Sequence, residues 1–75
     1  MTDETTIQNP AHRRILRYMT YAHLPLELQA ISQPVAELAR QMAQLLQESA
    51  DPAEVTTGLR KLLEAKDCFV RARLP

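Results

Sequence analysis

The residues best suited to chemistry lie between His12 and Pro25. This segment interleaves Arg13, Arg14 and Arg17 with Tyr18 and Tyr21, and has a histidine near each end, His12 and His23. Guanidinium forks grip phosphate oxygens in pairs, and tyrosine rings stack on bases. The combination therefore suits a nucleotide better than a simple anion. A plainer reading is a solvated basic helix whose tyrosines pack on the rest of the chain, and on the residues alone it is the stronger of the two.

Lys66 is a second candidate. The apolar spacing of Val55, Leu59 and Leu62, continued by heptads, puts the next seam positions at 66 and 69. A lysine in that slot is costly unless its ammonium is paired or reaches the edge of the seam. Its alternative use is as a cation for a bound phosphate in a cleft between helices or subunits.

Catalysis has little to work with. A nucleophile needs a base and an orienting group within reach. Cys68 is the one cysteine, falls late in a helical stretch with no histidine near it in sequence, and reads as a small apolar residue beside the seam. The carboxylates read as helix caps and solvated faces. There is no phosphate loop, and Cys68, His12 and His23 are too few and too scattered for structural zinc. The expectation is a protein that is not an enzyme, with no metal and no cofactor.

These side chains must be positioned by helices. The 75 residues hold one glycine and no sustained alternation of β-branched residues. Residues 1–8 are polar and are expected to be disordered, leaving 9–75 as a single domain. Asn9-Pro10 is a helix start, cap then proline, for a short helix to about Met19. A hinge follows at Thr20 to His23. A long helix is expected from Leu24 or Pro25 to Glu48, with a seam of Leu24, Leu28, Ile31, Val35, Leu38, Met42 and Leu45 spaced alternately by four and three. Pro34 predicts a kink near Ala30 to Ser32, unless Ser32 caps a fresh helix. Asp51-Pro52-Ala53-Glu54 reads as a capping box opening a second long helix to about Arg71. The fold class is thus all-α, an antiparallel two-helix hairpin with a short N-terminal helix.

Nine basic and nine acidic residues cancel, which argues against a protein that coats DNA or RNA. The charges are nonetheless segregated. Residues 10–23 have three arginines and no acid, and residues 55–75 have five basic residues against Glu64 and Asp67. An N-terminal arm folded back on the hairpin would bring two basic segments together on a neutral protein. No apolar run is long enough to span a membrane, and the polar start is unlike a secretory signal, so a cytoplasmic location is expected. A chain this small, without disulfides or zinc, is expected to gain stability by self-association.

One further pattern joins these parts: His12-Arg13, Tyr18, Tyr21, His23-Leu24-Pro25, a long apolar helix, a turn, and Leu59-Arg60-Lys61-Leu62-Leu63-Glu64-Ala65-Lys66. Over residues 12–73 it resembles the helical-hairpin nucleotide sponges of bacteriophages, the group of the anti-CBASS sponge and the Thoeris anti-defence hairpin proteins. The resemblance implies small helical subunits in a symmetric homo-oligomer, a hexamer or a dimer. It implies immune evasion by sequestering, without cleavage, cyclic di- or trinucleotides or cyclic ADP-ribose derivatives in the cytoplasm of the host cell. By the resemblance, Tyr21 stacks on a base, His12 and Arg13 match the family's start, and Lys61 matches the lysine of its closing run. The chain departs from the family at Ala36, where a phosphate-contacting lysine is expected. Arg13, Arg17, Arg40 or Lys66 would have to replace that contact. The ligand-binding candidates are therefore Tyr21, His12, Arg13, Arg17, Tyr18, His23, Lys61 and Lys66. The alternative function is a helical-hairpin interaction module acting through its heptad seam. Binding to nucleic-acid duplexes is not expected.

Overall fold

The structure is a computed structural model that describes residues 6–74. The described residues form three helices and no strand: α1 (Pro10–Arg17), α2 (Leu26–Leu45) and α3 (Pro52–Arg73). The helix starts follow from local chemistry. Asn9 Oδ1 accepts the backbone N–H groups of Ala11 at 2.9 Å and His12 at 3.4 Å, and Pro10 occupies the first turn, where its missing N–H costs nothing. Asp51 Oδ1 likewise accepts Glu54 N at 3.2 Å. The capping box is not reciprocal, because Asp51 N donates to Ser49 Oγ at 3.1 Å. Asp51→Ala should lower stability by about 1 kcal/mol, or roughly 4–8 °C in Tm for a domain of this size, read by thermal unfolding.

α2 and α3 run antiparallel. Near the connecting residues 46–51, Met42 and Leu46 line a groove with Val55 and Leu59, while at the far end Glu27 meets Arg73 at 3.8 Å. α2 continues through Pro34, and Ser32 is buried inside it rather than capping a fresh helix.

The core differs from the expected seam. The buried residues of α2 are Ser32, Ala36, Ala39 and Ala43, whereas Leu38 and Leu45 are 42% and 67% exposed and the other seam residues, Leu24, Leu28, Ile31, Val35 and Met42, are half-buried. At 3.6 residues per turn, the small stripe and the large apolar stripe lie about 100° apart around α2. Ala36, Ala39 and Ala43 share one buried cluster with Val55 and Leu59 of α3 and with Ile15 and Leu16 of α1, which also buries His12, and Met19 joins it just beyond the end of α1. Ile7 is also in this core, and Gln8 N donates to Gln47 Oε1 at 2.8 Å. Of the segment 1–8 expected to be disordered, residues 6–8 are described here and residues 1–5 lie outside the described residues.

Two buried polar side chains fasten α1. His12 Nε2 lies 2.9 Å from Thr56 Oγ1 and 3.1 Å from the Pro52 carbonyl, so an Nε2–H donor serves both oxygens. Lys66 is 8% exposed, and its Nζ donates to the Tyr18 carbonyl at 2.9 Å. Tyr18 is the C-terminal cap of α1, so the ammonium sits at the negative end of that helix and satisfies one of its free carbonyls.

Candidate functional site

α1 ends, the chain turns through residues 18–25, and α2 begins. Gln29 holds this turn by donating its Nε2 to the carbonyls of Leu24 at 2.7 Å and Ala22 at 3.3 Å, and Leu24 N closes on the Tyr21 carbonyl. Between the turn and the C-terminal half of α3 lies a cleft of about 260 Å³. Thr20 and His23 line it from the turn, Ser32 from α2, and Lys66, Asp67 and Arg71 from α3, with Leu24 and Val70 as apolar wall.

Its electrostatics favour an anion. Lys66 and Arg71 are cations opposed by one carboxylate, that of the half-exposed Asp67, whose Oδ1 is 3.8 Å from Lys66 Nζ. Arg71 also donates from Nη2 to Cys68 Sγ at 3.3 Å. Ser32 is wholly buried, yet its Oγ has no hydrogen-bond partner among the described residues. A buried hydroxyl in that state typically costs about 1–3 kcal/mol; with no accessible surface, it lies behind the cleft wall and is not open to the cleft. Ser32, His23 and Asp67 share the cleft but form no catalytic relay: Ser32 Oγ is unpartnered and Asp67 faces Lys66. The arrangement offers donors to bind with. Among the described residues, no group of three or more His, Cys, Asp or Glu could hold a metal ion, and no helix is long and apolar enough to cross a membrane.

Of the residues singled out from sequence, the cleft brings together His23 and Lys66. Tyr21 belongs to the same turn but is half-buried and packs against the core. Tyr18 is 64% exposed, with its carbonyl taken by Lys66. Arg13 is half-buried and Arg17 exposed on α1. Lys61 is exposed about 140° round α3 from Lys66. His12 is 2% exposed and engaged with Pro52 and Thr56, which makes it a fastener of α1 rather than a group open to a ligand. Ala36 is fully buried in the small-residue stripe. Sequence reasoning missed Thr20, Ser32 and Arg71. Only Ser32 carried a signal, as the one hydroxyl in the 32–36–39–43 spacing of small residues.

No protein-family model matches this chain, and no match was found among curated proteins or solved structures.

Proposed function

We propose that this chain is a sponge: a homo-oligomer that binds cyclic oligonucleotide or cyclic ADP-ribose-type immune messengers and holds them intact, blocking anti-phage signalling. The observation that carries the reading is the cleft, lined together by Lys66, whose ammonium already holds the Tyr18 carbonyl, by the exposed guanidinium of Arg71 and by His23. A phosphate oxygen is the acceptor those donors suit. The basic α1 folded against α3 supports it further, since it joins the two positively charged stretches of a neutral chain. Tyr21, in the same turn, packs part of its ring on the core, and the exposed remainder is the surface offered to a base.

The energetics are adequate. Nanomolar affinity needs about 12 kcal/mol net. Base stacking contributes roughly 1–3 kcal/mol per ring, and a two-fold assembly presents every binding group twice to a ligand with two bases and two phosphates. Helices that are already packed keep the ordering cost low.

The test is calorimetric titration of the whole chain with cyclic di- and trinucleotides and cyclic ADP-ribose isomers, followed by recovery of the ligand after heat denaturation. The expected result is tight binding and chemically intact ligand. Arg71→Ala should weaken it at least tenfold, and Tyr21→Ala should abolish it while leaving the assembly intact. A folded protein that binds none of these ligands, or that returns a cleaved one, overturns the reading. A second reading, a hairpin module that docks a foreign helix, is favoured by the exposure of Leu38, Leu45 and Phe69. A monomer that captures such a helix and no nucleotide would establish it.

A further inference from the structure

Asp67 is the one acid among the residues that line the cleft. Helix chemistry does not explain its place there. An aspartate four residues before an arginine is well set to pair with it along a helix. Here Arg71 turns instead to Cys68, with Nη2 donating to Sγ at 3.3 Å. The Asp67 carboxylate stays half-exposed, and its Oδ1 stands 3.8 Å from Lys66 Nζ, beyond hydrogen-bonding distance. The Lys66 ammonium spends one N–H on the Tyr18 carbonyl at 2.9 Å. Its remaining N–H groups have no hydrogen-bond acceptor among the described residues.

This geometry ties the carboxylate to any anion that the ammonium holds. A phosphate oxygen bonded to Nζ at about 2.8 Å lies no more than about 7 Å from Asp67 Oδ1. That is inside the screening length of about 10 Å at 0.1 M salt, so the repulsion is felt. The charge balance of the cleft then matters. Lys66 and Arg71 against Asp67 leave a surplus of one positive charge. Attraction to that surplus grows in proportion to the charge of a ligand. The cost of taking the ligand out of water grows as the square of its charge. A single surplus charge therefore suits an anion of charge one.

We infer that Asp67 sets the specificity of the cleft, tuning it to an isolated phosphodiester, with one negative charge, over a terminal phosphate or a pyrophosphate, with two. This deepens the sponge reading and rests on it where the messenger is concerned. Of the two messenger classes, cyclic oligonucleotides keep their phosphates apart, each a diester between nucleosides. A cyclic ADP-ribose derivative brings two adjacent charges into one cleft of about 260 Å³. Hydrolysis of a cyclic oligonucleotide turns one diester into a terminal phosphate, which carries close to two charges above about pH 7. The cleft thus takes intact cyclic oligonucleotides and leaves both their opened products and pyrophosphate-linked messengers. A sponge built this way is not filled by the debris of messenger turnover.

The experiment is titration of the full chain with dimethyl phosphate and with methyl phosphate at constant ionic strength, followed by NMR at the Thr20, Lys66 and Arg71 amides. It is run at about pH 8, where the monoester carries close to two charges and the diester one. The wild type should bind the diester at least as tightly as the monoester. Asp67→Asn, which keeps the side-chain shape at a half-exposed position, should tighten the monoester at least threefold more than the diester. Glu54→Gln, on the same helix but about 20 Å away, should leave the ratio unchanged. A wild type that prefers the doubly charged ester overturns the inference. So does a ratio that Asp67→Asn leaves alone, or that Glu54→Gln moves equally. Failure to bind either ester overturns it together with the role of the cleft. The expected ratios in a chain that holds no cyclic nucleotide count against the sponge alone. Tight binding of a cyclic dinucleotide with an unmoved ratio counts against the inference alone.

Discussion

Ala36→Lys detaches α1 from the hairpin, with an expected loss of about 3 kcal/mol or more. Ala36 is fully buried, in the core cluster where it, Ala39 and Ala43 join Ile15 and Leu16 of the N-terminal helix. A lysine there must overfill a packed interface and also bury an ammonium without a partner, and each of these alone is a recognised route to severe destabilisation. Circular dichroism during thermal unfolding should show the transition lowered by well over 10 °C, at about 4–8 °C per kcal/mol. Trypsin should cut at Arg13, Arg14 and Arg17 in the variant faster than in the wild type. The result bears on the ligand as well as the fold. Ala36 is where the resemblance expects a phosphate-contacting lysine, and the packing here leaves that position no access to a ligand. A variant that folds normally and gains affinity for a cyclic dinucleotide would show that α1 does not cover this stripe.

Leu16→Ala has the second largest expected effect. Leu16 is wholly buried, in the core cluster that α1 shares with the two long helices. Truncating a buried leucine costs about 2–5 kcal/mol, the spread depending on how far the site collapses. A domain of 75 residues has roughly 4–11 kcal/mol in total, so the change removes a large part of the stability. Urea unfolding at fixed protein concentration is the measurement, because self-association would add a concentration-dependent term. The midpoint should fall by a third or more. A shift worth less than about 1 kcal/mol would mean that α1 lies outside the cooperative unit and the hairpin is stable without it.

The cleft was half legible in the sequence. Lys66 announced itself because a charge stood where the heptad asked for an apolar residue, and its burial follows from that slot. Its acceptor could not be read, because the Tyr18 carbonyl lies 48 residues away and depends on where α1 docks. His23 was flagged by its place beside the arginine-tyrosine segment. Arg71 and Thr20 looked like ordinary surface residues until three elements converged.

The sequence by itself determined the helices. Asn9-Pro10 and Asp51-Pro52 mark two of the starts through contacts within four residues, and the single glycine leaves little else for the chain to form. Such signals are local, so they survive without knowledge of the fold. Only the tertiary structure decided which stripe of α2 faces inward. Two stripes repeat on that helix with the same spacing, one of large apolar residues and one of Ser32, Ala36, Ala39 and Ala43. Hydrophobicity favours the first. The buried cluster that holds Ile15 and Leu16 of α1 and Met19 beyond it takes in the second, and leaves Leu38 and Leu45 at the surface. The choice rests on shape complementarity between segments far apart in the chain, which residue type and spacing do not encode.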